Sequence, residues 1–156
     1  METVINSTAW MMVSEVELIY KSKVKASQRP KITQSADAYQ LFLHQWDENK
    51  LEFVEQFKVM FLNRANRVLG ICELFTGGIS LTVADPKIIF SAALKANASS
   101  IIVCHNHPSG NLTPSRHDEE LTKKLRQAGQ FLDLPVMDHL IISNEGFLSF
   151  AEEGLL

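Results

Sequence analysis

Cysteine is scarce in this chain. Cys72 and Cys104 are the only two among 156 residues, and each lies inside an apolar, strand-like run. Such usage does not make a disulfide framework, so two buried free thiols in a reducing cytoplasm are expected. An excess of one charge is also missing. The formal net charge is -3, and at the whole-chain level that does not mark a nucleic-acid binder. No apolar run approaches the ~20 residues that span a bilayer. The opening METVINSTAWMMVSEVELIY has no basic segment ahead of its apolar residues, so no secretory signal is read there. Internal repeats and low-complexity tracts are absent too.

What is present is the balance of a globular chain, 46% hydrophobic and 21% charged, long enough to bury one real core. SEVELIYKSKV alternates Val16, Leu18 and Tyr20 with Glu15, Glu17 and Lys21, the period of a half-exposed strand. A polar loop follows, so residues 1–34 read as an extension and 35–156 as the domain. A helix is expected from Ser35, with Ala38, Leu41 and Phe42 as its apolar stripe, fraying through WDENK. A further short turn is expected around Leu51–Glu55. QFKVMFLNRANRVLGICELF reads as two strands joined at Arg-Ala-Asn, with Gly77 and Gly78 ending the pair. Asp85 and Pro86 open the next helix, and Asn97 lies near its end. SSIIVCHNH, with four consecutive apolar residues, reads as a central strand covered on both faces. A helix from Ser115 to about Leu132 presents Leu121, Leu125, Ala128 and Leu132 on one side. PVMDHLIIS and FLSF complete the strands. The fold class is α/β, a mixed central sheet flanked by helices.

Donor atoms concentrate in VCHNHPSGNLTPSRHDEE. His105 and His107 share strand parity, so both imidazoles face one way and can reach one cation at ~2.0 Å each. Pro108 and Gly110 stop the strand and turn the chain. The following helix brings Asp118 back in its first turn as a third ligand. Two histidines and one carboxylate leave a fourth tetrahedral position open, the mark of a catalytic zinc site. Ser115-x-x-Asp118 also has the form of a capping box, so a helix-capping role stands beside the metal one.

These residues carry a resemblance. His105-Asn106-His107, then seven residues, Ser115, two residues and Asp118 is similar to the H-x-H-x7-S-x-x-D pattern of the JAMM (MPN+) metalloproteases. HNHPSGNLTPSRHD, RVLG, DHLIIS and SFAEEGLL resemble its bacterial RadC branch, from about Pro30 to the C-terminus. The resemblance implies a cytidine-deaminase-like JAMM/MPN architecture and a Zn2+ cofactor on His105, His107 and Asp118. It implies cleavage of a peptide, isopeptide or other amide bond by attack of a zinc-bound water. It also implies an upstream glutamate as general base, and Glu55 occupies the matching place ahead of Glu52 and Glu73. Ser115 would then donate to the oxyanion of the tetrahedral intermediate.

Other residues read as ordinary structure. His117 is expected to point from the helix start to solvent, with a contact to substrate left open. Cys104 has the parity opposite to His105, against a thiol protease. Asp138-His139 is open between a partner for a ligand imidazole and a sheet-edge hydrogen bond. The clusters KSKVKASQRPK and KKLRQ read as solvated surface. RadC-like chains usually carry an N-terminal helix-hairpin-helix module, where this sequence has a short strand and loop. A DNA-binding role inferred from that module therefore loses its footing; a DNA-repair accessory factor or nuclease stays as the alternative function, although one carboxylate is few for two-metal phosphodiester cleavage. The expected partner is a peptide or protein substrate, with no membrane involved.

Overall fold

Four apolar residues in a row, Ile101–Cys104, need cover on both faces, and they become the middle of a five-stranded sheet. The computed structural model describes residues 11–17, 19–78 and 83–156. In chain order its elements are α1 (Ser35–His44), α2 (Glu48–Leu51), β1 (Gln56–Leu62), β2 (Val68–Thr76) and α3 (Pro86–Lys95), then β3 (Ser100–Asn106), α4 (Arg116–Phe131), β4 (Val136–Ile142) and β5 (Phe147–Ser149). A 3-10 turn at Ala26–Gln28 precedes them. The sheet order is β2-β1-β3-β4-β5. β3 pairs antiparallel with β1 and parallel with β4, so the sheet is mixed. No helix among the described residues is long and apolar enough to cross a membrane.

Alternation along each strand sorts side chains into two cores. Phe57, Val59, Ile101 and Val103 meet Ile89, Phe90, Leu121 and Leu125 beneath α3 and α4. Met60, Leu62, Ile102 and Cys104 meet Ala38, Tyr39, Phe42 and Trp46 beneath α1. The result is a three-layer α/β domain, the class read from the sequence. Local chemistry places the helix starts. Asp85 accepts the Lys87 N–H at 2.9 Å with Pro86 behind it, and Asp47 accepts the Asn49 N–H at 3.0 Å. Because Asp47 is the cap, the short helical turn lies at Glu48–Leu51, ahead of the expected Leu51–Glu55. The hairpin closes on Asn63, whose Oδ1 accepts from the Ala65 and Arg67 amides, and Asn66 takes a positive φ of 57°.

The expected N-terminal strand does not form. Residues 14–17 and 19–24 have no strand, with Val16 84% exposed, and Leu18 lies outside the described residues. Alternation signals a strand only where a neighbour can pair with it. Here a contact to the sheet is a side-chain one, Tyr20 Oη donating to the Leu69 carbonyl at 2.8 Å. The stripe of α4 also differs at its end. Leu132 caps the helix and is exposed, while Thr122 and Gly129 join Leu121 and Leu125 on the buried side.

Gly129 is there because the chain turns back tightly behind it. The Leu134 amide donates to the Gly129 carbonyl at 2.8 Å, and a Cβ on Gly129 would lie 2.5 Å from the Leu134 carbonyl oxygen. Helix propensity alone makes Gly→Ala stabilising by about 1 kcal/mol. We expect Gly129→Ala instead to destabilise by about 1–3 kcal/mol in denaturant unfolding, because backbone must move to admit the methyl.

Candidate metal centre

β3 ends where its last residues can look back across α4. His105 is the penultimate residue of the strand, His107 follows its end, and Asp118 occupies the first turn of α4. His105 Nε2 lies 3.0 Å from His107 Nε2 and 3.2 Å from Asp118 Oδ1, and His107 Nε2 lies 3.6 Å from Asp118 Oδ2. The three residues form a group that could hold a metal ion. Ligands about 2.05 Å from a tetrahedral centre sit about 3.3 Å apart, and the separations of 3.0, 3.2 and 3.6 Å, the last two to different Asp118 oxygens, lie around that value.

The other ring nitrogens decide which lone pairs are available. The Asn111 carbonyl can only accept, so His107 Nδ1, 2.5 Å away, carries a proton and leaves Nε2 bare in the neutral ring. A longer chain settles His105. Thr122 Oγ1 donates its single proton to the Asp118 carbonyl at 2.7 Å. It must therefore accept from His139 Nδ1 at 2.6 Å, so His139 Nε2 is the acceptor for His105 Nδ1–H at 2.8 Å. These protons are assigned from the network. Each imidazole thus turns an unprotonated Nε2 toward the carboxylate, as metal-ligating histidines do.

Three acceptors facing one point need a positive charge between them. Burial raises the Asp118 carboxyl, but the two imidazoles and the Ser115 backbone amide overcome that and hold it far below the usual carboxylate range. For His107 burial works downward, yet Asp118, the Asn111 carbonyl and the charge of Glu55 prevail and raise it above 6.5.

Glu55 belongs to the same neighbourhood. Phe57 stands opposite His105 in the β1–β3 ladder, so continuing the antiparallel register brings Glu55 across from His107. Glu55 is buried, and its amide and carbonyl bond to Gly78 and Gly77 beyond the end of β2. Glu73 lies on the other face, 3.4 Å from Lys58 Nζ, and Glu52 is exposed, accepting from Asn144 Nδ2 at 2.6 Å. Ser115 performs the capping role: its Oγ accepts from the Asp118 amide at 3.1 Å and donates to Asp118 Oδ2 at 2.8 Å. His117 is exposed and Cys104 is wholly buried in the opposite core, both as expected.

Sequence reading left His139 open and passed over Thr122 and Asn106. The signal for His139 was the pairing of two strands, since Val103 stands beside His139 in the parallel ladder. Asn106, between the ligands, points to the α1 face. It accepts the Gln56 amide and donates to the Leu51 and Val54 carbonyls.

Comparison with known proteins agrees with this geometry. The family model described as RadC-like JAB domain matches residues 32–155. A UPF0758 protein of Flavobacterium johnsoniae is 42% identical over 125 residues, covering 80% of this chain and 53% of its own. One from Clostridium beijerinckii is 40% identical over 126 residues, 81% of this chain and 54% of its own. A third, from Clostridium perfringens, is 36% identical over 148 residues, 95% and 64% of the two chains. The chain thus spans between half and two thirds of the length of these relatives.

The buried relay has a consequence for stability. Burial, then the charge of His105, pushes His139 well below 6.5. A histidine depressed in the fold takes up its proton first in the unfolded chain, so its contribution is present above 6.5 and is lost as pH falls from there. Metal-free protein should lose stability in urea as the pH drops from 6.5 toward about 4.5, above the ordinary carboxylate range. His139→Phe should flatten this limb.

Proposed function

The chain belongs to the family of RadC-like JAB domains, and from that premise we propose that it is a zinc-dependent hydrolase cleaving a peptide, isopeptide or other amide bond. The observation that carries the reading is the donor set: two imidazole nitrogens with protons tied up on their far side, and one carboxylate, all facing a common point. His105, His107 and Asp118 would hold the ion. Bound there, zinc supplies the Lewis acidity that makes water a nucleophile near neutral pH.

The remaining work falls to the chain. Glu55 takes a proton from the attacking water and passes it to the amine as the C–N bond breaks, so the base is regenerated each turnover. Ser115 donates its hydroxyl to the oxyanion, which can contribute about 3 kcal/mol. In the resting arrangement that proton goes to Asp118 Oδ2, so donation requires the hydroxyl to turn away from its cap. A groove of about 210 Å³ beside His107, bordered by Leu51, Glu52, Pro108 and Asn144, is where a peptide or protein chain would approach the centre. Free thiols at Cys72 and Cys104 support a reducing, cytoplasmic setting. Among the described residues the metal-capable group contains a single carboxylate, which weighs against a two-metal nuclease.

A peptide-library cleavage screen with zinc-loaded protein tests the reading. Glu55→Gln should lower the rate on any cleaved amide by about 10²-fold or more while zinc remains stoichiometric. Undiminished cleavage by that variant would remove Glu55 from the mechanism.

A further inference from the structure

Asn106 is wholly buried and has both of its donors engaged. Its Oδ1 accepts the Gln56 amide at 2.7 Å, and its Nδ2 donates to the Leu51 carbonyl at 2.7 Å and the Val54 carbonyl at 2.9 Å. All three partners are main-chain atoms, and they bracket one residue, Glu55. The donor itself is bracketed by His105 and His107. We infer that the Asn106 carboxamide is a positioning residue that sets Glu55 against the His105–His107–Asp118 cluster.

The register shows why a side chain is needed. The β1–β3 ladder stops at Phe57 opposite His105. Beyond it the α2–β1 junction must bend, and its carbonyls at Leu51 and Val54 face inward with no strand to meet them. The Asn106 side chain replaces the missing ladder rung and satisfies both. Asparagine alone has the shape for this: aspartate would aim an oxygen at two carbonyls, serine is too short, and glutamine is a methylene too long. On its far side Glu55 is held by the Gly77 and Gly78 main chain. Asn106 fixes the side that faces the ligands. Because the clamp and both imidazoles rise from three consecutive residues, the distance from base to cluster is set by one short piece of backbone.

The inference rests on the hydrolase reading for what Glu55 does, and its test is independent of any substrate. The chain and its Asn106→Ala, Glu55→Gln and double variants are loaded with cobalt(II). The visible absorption is then followed against pH, with cobalt content and amide exchange measured alongside. Asn106→Ala should keep cobalt and raise exchange at the Gln56 amide by roughly tenfold or more. It should also shift the midpoint of the absorption change by as much as Glu55→Gln does, with no further shift in the double variant. A merely structural residue would not show that non-additivity. Cobalt bound with an unmoved midpoint in Asn106→Ala overturns the inference alone. Failure of the native chain to take up cobalt overturns the metal reading and this inference with it. Should Asn106→Ala not fold, Asn106→Leu, which keeps the volume, carries no charge and loses the acceptor and both donors, is read the same way.

Discussion

A carboxylate and two imidazoles are held within 3.6 Å of one another at a mostly buried strand end, all three presenting lone pairs to one spot. Left uncompensated, such a cluster is costly, because buried charge and unpaired acceptors lose their water. The surroundings of the centre make sense as compensation. Asn111, and Thr122 through His139, absorb the protons on the far sides of the rings. The start of α4, with its unsatisfied amides and Ser115, absorbs charge from Asp118. The three donors so arranged could hold one cation.

Topology delivers the pieces to that spot. β3 runs down the centre of the sheet and hands over to α4, which crosses to the parallel neighbour β4. In open α/β sheets the carboxyl ends of central strands are where ligands gather, since connections there leave the sheet in different directions. His105 and His107 sit at that end, Asp118 enters from the connection, and His139 arrives from β4 one strand over. β1, antiparallel on the other side, begins where β3 ends. Its leading residues therefore lie across from the ligand end of β3, and Glu55 is the acid that leads it in. The bonds of Asn106 tie this start of β1 to the ligand strand.

Legibility followed sequence distance. His105, His107 and Asp118 could be read because strand parity and one helical turn are local rules, and the three residues lie in one short segment. Ser115 could be read as a cap for the same reason, and the capping bonds are what the structure shows. The sheet, its central strand and the flanking helices followed from the periods of their segments. The relay through His139 and Thr122 was not legible, because it depends on which strand neighbours β3 and how α4 lies over both. Asn106 was obscured by its company, since parity turned it away from the ligands and nothing local says what it meets on the α1 face. The N-terminal alternation misled because it reports capacity to pair, and pairing needs a free partner within reach. Leu132 misled by one turn, where α4 gives way to the tight return that Gly129 permits.

Most of this account stands on the donor set, and X-ray absorption at the zinc edge examines that directly. Zinc-loaded protein should show one ion per chain bound by nitrogen and oxygen at about 2.0–2.1 Å, with the multiple-scattering pattern of two imidazoles. Sulfur at about 2.3 Å, or an ion that does not bind in stoichiometric amount, would contradict it.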